Sequence, residues 1–189
     1  MRWNTVAIEL PPWVSDLVQP GTRFEDDESR MRLAISLARE NVARDDGGPF
    51  GAAIFERQSG RVVGVGINRV VPSSNAIAHA ETVAIAVAGG RLGQFSLHQP
   101  GGAEHELFTS CEPCAMCLGA IFWSGVRRVV WAATREDAVA VGFDEGPVFP
   151  ESHRYLERRG FQLVPGVLRE EGRQVLVDYR AGGGAIYNA

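Results

Sequence analysis

The run Thr109-Ser110-Cys111-Glu112-Pro113-Cys114-Ala115-Met116-Cys117-Leu118-Gly119-Ala120-Ile121 decides the fold once it is set beside the earlier His79-Ala80-Glu81. Each segment opens an apolar, alanine-rich helical stretch after β-leaning residues. A strand over Glu106 to Thr109 leads through a turn, Ser110 to Pro113, into a helix from Cys114 to about Trp123. Pro113 suits that helix start, where a missing N–H costs nothing. A second helix runs from His79 to about Ala88 and closes at Gly89-Gly90.

Working outward, the same grammar covers the chain. Met31, Leu33, Ala34, Leu37, Ala38 and Val42 form one buried stripe of a helix over Asp26 to Arg44, which Gly47-Gly48-Pro49 ends. Gly51 to Gln58 and Arg61 to Asn68, separated by Ser59-Gly60, read as a β-hairpin. Further on come a strand from Arg128 to Ala132, a short helix over Arg135 to Ala140 and a helix over Glu151 to Arg159. A strand from Phe161 to Val164 and a final helix over Gln174 to Arg180 complete the series. Alternating helices and strands predict an α/β fold, a three-layer α/β/α sandwich. Residues 1–24, with Pro11, Pro12, Pro20 and Gly21, read as an irregular arm packed down by Trp3 and Trp13. Residues 25–180 form the domain and 181–189 a tail that starts with Gly182-Gly183-Gly184.

A chain of 189 residues, 45% hydrophobic and 22% charged, fits one globular core. A net charge of −4 and a pI near 5.6 argue against a broad nucleic-acid face and for a small neutral substrate. All nineteen basic side chains are arginine, which excludes lysine Schiff-base chemistry and phosphate-loop lysines. No apolar run approaches the roughly 20 residues that cross a bilayer, and Met1 to Pro20 lacks a signal-peptide pattern, so the expected location is the cytoplasm.

The three cysteines, Cys111, Cys114 and Cys117, are clustered as metal ligands are, not spread as a disulfide framework is. His79, Cys114 and Cys117 offer one imidazole and two thiolates, a set that zinc prefers, and leave the fourth tetrahedral position open. Zinc with an open position supplies hydroxide near neutral pH. Glu81, two residues past His79, is close enough to move protons between that water, a ring nitrogen and a departing amine. A purely structural zinc lacks a fourth protein ligand, and an iron–sulfur reading of the Cys-x-x-Cys-x-x-Cys run lacks a fourth thiolate and leaves Glu81 idle. Cys111 reads as a buried structural thiol. The pairing of His-x-Glu with Pro-Cys-x-x-Cys is the pattern of zinc nucleobase deaminases.

The chain resembles the cytidine deaminase superfamily, and within it the small bacterial guanine deaminases. The resemblance runs from about Asp26 onward. It rests on Gly48-Pro49-Phe50-Gly51-Ala52, on Asn68 ahead of His79-Ala80-Glu81, on Thr109 to Ile121, and on Gly142-Phe143-Asp144-Glu145. It implies a mixed five-stranded sheet, one Zn2+ per subunit and hydrolysis of guanine to xanthine and ammonia. It further implies that Asn68 hydrogen-bonds the purine, that Phe50 and Trp123 wall it and that the Ala80 N–H meets a ring heteroatom. Glu145 becomes a second catalytic carboxylate, and Tyr187 on the tail a cap that can reach into the neighbouring subunit of a homodimer. Other members act on adenosine in transfer RNA or on other small aminated heterocycles such as cytosine or an aminotriazine. Arg127-Arg128 with Arg154, Arg158 and Arg159 would then have to grip phosphates. A metal-stabilised binding module without turnover would have no use for Glu81.

Overall fold

The computed structural model describes residues 7–187. Its strands are β1 (Gly51–Glu56), β2 (Val62–Ile67), β3 (His105–Cys111), β4 (Arg128–Ala133) and β5 (Gln162–Val164). They form one mixed sheet in the order β2-β1-β3-β4-β5. β1 runs antiparallel to both β2 and β3, whereas β3, β4 and β5 are parallel. The helices are α1 (Pro12–Leu17), α2 (Asp27–Ala43), α3 (Val70–Ser73), α4 (Ala80–Leu92), α5 (Ala115–Ser124), α6 (Arg135–Val141), α7 (Pro150–Arg158) and α8 (Arg169–Ala181).

Alternation along β1 separates the layers, because successive side chains point to opposite faces. Ala53 and Phe55 join Met31, Leu37 and Val175 in the core beneath α2 and α8. Ala52 and Ile54 join Ala84, Leu118 and Ile121 in the core beneath α4 and α5. The α/β/α sandwich expected from the alternation of elements is therefore the one observed. α4 lies close against β2 because Gly64 and Gly66 carry no side chain. A β-carbon on Gly66 would stand 2.1 Å from the Ala80 carbonyl oxygen, and one on Gly64 2.7 Å from that of Ala84. This close seat fixes the start of α4, where His79 and Glu81 stand.

At the opposite end of the sheet, Glu106 on β3 is buried and its carboxylate is paired with Arg30 of α2 and with Arg128 of β4, the latter at 2.7 Å. Arg128 also binds Asp27 at the first turn of α2. A buried polar group is costly unless it is hydrogen-bonded in this way.

Several expectations are corrected. The N-terminal arm contains α1, started by Pro12 and buried at Trp13 and Val14. Beyond it the backbone covers the free edge of β2, with Gly21 N–H donating to Val62 and Val62 N–H to Thr22, which blocks pairing by another chain. Trp3 lies outside the described residues. α4 passes through Gly89-Gly90 and ends at Gly93, whose left-handed φ of 64° makes the C-cap. α8 starts at Arg169, ahead of the expected Gln174, since Gly172 sits inside its first turn instead of breaking it. Pro113 precedes the N-cap Cys114 and is not the first helical residue.

Candidate active site and metal centre

Two helix N-termini converge where the sequence places the ligands. His79 is the N-cap of α4 and Cys114 the N-cap of α5. Neither uses its side chain as a cap, and imidazole and thiol face each other across the gap. His79 Nδ1 lies 3.5 Å from Cys114 Sγ and 3.6 Å from Cys117 Sγ. All three donor atoms lie within 4.8 Å of one another. Zinc bonds of about 2.3 Å to sulfur and 2.0–2.1 Å to nitrogen, at a tetrahedral angle, require nitrogen–sulfur separations of about 3.5 Å. The donor set therefore fits the ion in kind and in spacing. Cys111, 2% exposed, stays outside the cluster, with its Sγ 3.6 Å from the Thr134 carbonyl oxygen; it is the buried thiol expected.

The electrostatics follow from crowding. Cys117 donates its S–H to Cys114, which holds Cys114 as a thiolate with its pKa lowered to about 4 and pushes the Cys117 thiol well up. Burial opposes a charge on His79, yet the Cys114 thiolate and the Glu81 carboxylate outweigh it and raise its pKa. Glu81, buried in the first turn of α4, has its carboxyl raised by burial and by Cys114. Its Oε2 lies 3.4 Å from Cys117 Sγ. Glu145 comes from the loop between α6 and α7 and is 8% exposed. Burial, then the charges of Cys114 and Glu81, push its carboxyl up to about 8. The backbone of that loop is tied to the metal turn, because Ala115 N–H donates to the Glu145 carbonyl at 3.0 Å.

Phe50, Asn68, His79, Glu81, Cys114, Glu145 and Tyr187 line one pocket, together with Glu112 and Phe143. Asn68 follows β2 and is 1% exposed. Its Oδ1 accepts the Val70 N–H at 3.2 Å, so the amide does close a turn. Its Nδ2, however, is buried with no hydrogen-bond partner among the described residues. A buried donor left unpaired costs about 1–3 kcal/mol, and Asn68 lines the pocket beside Tyr187. The Ala80 N–H belongs to the first turn of α4, where backbone donors have no helical partner. Phe50 packs edge-on against Phe143 with centroids 5.0 Å apart. Tyr187 stands over this pocket in its own chain, edge-on to Phe143 at 5.2 Å, with its hydroxyl buried. With that ring in place the pocket retains about 20 Å³, room for a single water. Asn188 lies outside the described residues.

Trp123 is not brought to this pocket. It lies in the last turn of α5, 79% exposed, with its ring against Phe122. A helix rises about 1.5 Å per residue, so the motif that places Cys114 at one end of α5 carries Trp123 to the other. Conversely, sequence reasoning assigned no role to two residues that shape the site. Asn41, wholly buried in α2, donates from Nδ2 to the carbonyls of Gly48 at 2.8 Å and Asn68 at 3.0 Å, and so holds the Asn68 backbone. An asparagine among the apolar positions of α2 was the available signal. Glu112 lines the pocket and gave no signal beyond its place in the motif.

Comparison with known proteins agrees with this geometry. Residues 24–133 match the cytidine and deoxycytidylate deaminase zinc-binding region. A guanine deaminase of Bacillus subtilis is 40% identical over 143 residues, 76% of this chain and 87% of that protein. A solved guanine deaminase from Nitrosomonas europaea superposes with a TM-score of 0.90 at 41% identity, covering 96% of this chain and 99% of that one. A solved variant in complex with 8-azaguanine superposes with a TM-score of 0.91 at 41% identity, covering 96% and 99%. With its ligand triad, its mixed sheet and more than half its length matched, the chain belongs to the cytidine and deoxycytidylate deaminase zinc-binding family.

Proposed function

We propose that this chain is a zinc-dependent aminohydrolase that converts guanine and water to xanthine and ammonia. The observation that carries the reading is a pair of buried carboxylates, Glu81 and Glu145, facing one His-Cys-Cys cluster. His79, Cys114 and Cys117 would hold one zinc per chain, which when bound supplies an activated water or hydroxide at its fourth position. Glu81 takes a proton from the attacking water and delivers it to the ring nitrogen beside the amino-bearing carbon. The carbon–oxygen bond forms, the carbon–nitrogen bond breaks, and the amine leaves as ammonia once it has gained a proton. Glu145, buried beside the same cluster, stands ready to serve that amine. Asn68 Nδ2 donates to a ring acceptor, the Ala80 N–H meets a second heteroatom, and Phe50 with Phe143 supplies the apolar wall. Tyr187 closes the pocket after the base has entered.

A transfer-RNA substrate has less support. Arg128 is held by Glu106 and Asp27, so its guanidinium is not available for a phosphate, and Arg154 pairs with Glu151 at the surface. Arg127 and Arg159 lie over the rings of Phe161 and Phe122. Among the described residues no helix is long and apolar enough to cross a membrane. A cytoplasmic homodimer is part of the proposal, and exposed Trp123 and Tyr155, on α5 and α7, offer a face for a second copy. The test is ammonia release from guanine by the zinc-loaded protein, against a Glu81→Ala control. Equal release from both, or release only from adenosine in transfer RNA, would reject the reading.

A further inference from the structure

Glu112 precedes Pro113 and the ligand Cys114, yet its carboxylate is turned away from the ligands. Its side chain is 10% exposed. Oε2 accepts the N–H of Arg135, the first residue of α6, at 3.1 Å. Oε1 lies 3.3 Å from Nε2 of His153, in the first turns of α7. Nε2 is buried and makes no hydrogen bond among the described residues, so Glu112 is its polar neighbour. The imidazole is seated on Trp131 of β4, with ring centroids 5.8 Å apart. The Glu112 N–H donates to Ala133, the last residue of β4, at 2.9 Å.

α6 and α7 bracket the loop that carries Glu145. One carboxylate thus touches both helices flanking that loop and is itself built into the turn that carries Cys114. The Arg135 charge also acts on the Glu145 carboxyl, favouring its ionised form. The loop is short, 142–149, and its only other tie to the metal turn named above is the Ala115–Glu145 backbone bond. α7 begins at Pro150, so its seat fixes the end of the loop that carries Glu145.

We infer that Glu112 and His153 are a positioning pair that sets the Glu145 loop against the metal turn. The inference rests on the proposed role of Glu145. It is tested on the full-length, zinc-loaded protein with His153→Ala, His153→Gln, Glu145→Gln and the double variant His153→Ala/Glu145→Gln, measuring kcat, KM and zinc content. Misplacing a reacting group by an ångström costs up to about a hundredfold in rate. His153→Ala is therefore expected to lower kcat roughly ten- to a hundredfold with KM and zinc stoichiometry little changed. His153→Gln, which restores a side-chain donor of similar reach and keeps the fold if the alanine variant loses it, should recover most of the rate. The double variant should be no slower than Glu145→Gln alone. Full activity of His153→Ala beside a crippled Glu145→Gln overturns the pair and spares the role of Glu145. Multiplying losses, or losses that track zinc content, assign His153 to bulk stability and also overturn the pair. An active Glu145→Gln overturns the role of Glu145, and the pair with it.

Discussion

The hydroxyl of Tyr187 occupies the space that a β-carbon on Gly48 would need: the two would be 1.9 Å apart. The tail is thereby registered on the loop that leads into β1. Ile186 packs near Gly142, and Tyr179 holds the segment by donating from its hydroxyl to the Ala185 carbonyl at 2.7 Å. Gly48→Ala should therefore lift Tyr187 while leaving the metal triad intact. Overpacking costs about 1–3 kcal/mol, and 1.4 kcal/mol is a factor of ten in binding. The expected outcome is a KM for guanine raised about tenfold with zinc retained, and faster proteolysis of the tail; an unaltered KM with an equally protected tail would contradict it.

Glu81→Gln should keep the fold, since it replaces a buried carboxylate by a neutral group of the same shape. Loss of one positioned acid–base group lowers rate by about 10²–10⁴. Zinc content and ligand binding, followed by calorimetry with 8-azaguanine, should survive while kcat falls. A variant retaining a tenth or more of its kcat would remove Glu81 from proton transfer.

Zinc binding should release protons at neutral pH. The Cys117 thiol is pushed well up by its hydrogen bond to Cys114 and by burial, so it is protonated in the metal-free protein, and a metal binds the thiolate. Titrating apo-protein with zinc in buffers of different ionisation enthalpy measures the number released, and no buffer dependence would show Cys117 already ionised. Affinity should fall as pH falls.

Asp137 makes a pH-dependent contribution remote from the chemistry. It accepts two hydrogen bonds from Arg169, at 2.9 and 3.0 Å, and the Thr134 N–H at 2.9 Å. The Arg169 bonds foremost lower its pKa from 3.8 to about 2. The folded value lies below the unfolded one, so the stabilisation is complete above pH 3.8 and is lost as pH falls through about 2. Asp137→Ala should cost about 2 kcal/mol at pH 7. Urea melts should show the variant and the parent converging between pH 4 and 2, and a constant difference across that range would refute the linkage.

How much was legible follows from where each signal resides. His79, Glu81, Cys114 and Cys117 could be read because metal coordination ties residue type to local spacing, and the structure brings them together. The sheet was legible because β1 and β2 are β-leaning runs joined by a short turn. Asn41 and Glu112 were not, since their roles exist only through partners far along the chain, Asn68 in one case and His153 in the other. α1 was hidden by prolines that start a helix as readily as they break one. Trp123 shows the limit of a motif, which records a position on a helix but not which end of it faces the pocket.

One consequence of the seating of α4 on β2 and of α5 after β3 concerns the unfolded chain. His79 and Cys114 are 35 positions apart in sequence, so an ion held by both is a clasp on a loop of that length. Closing a loop of such length by a cross-link removes chain entropy worth roughly 4 kcal/mol from the denatured state. The proposed metal centre would then also act as a fastener between the antiparallel and parallel halves of the sheet. Chelation should loosen the scaffold as well as silence it.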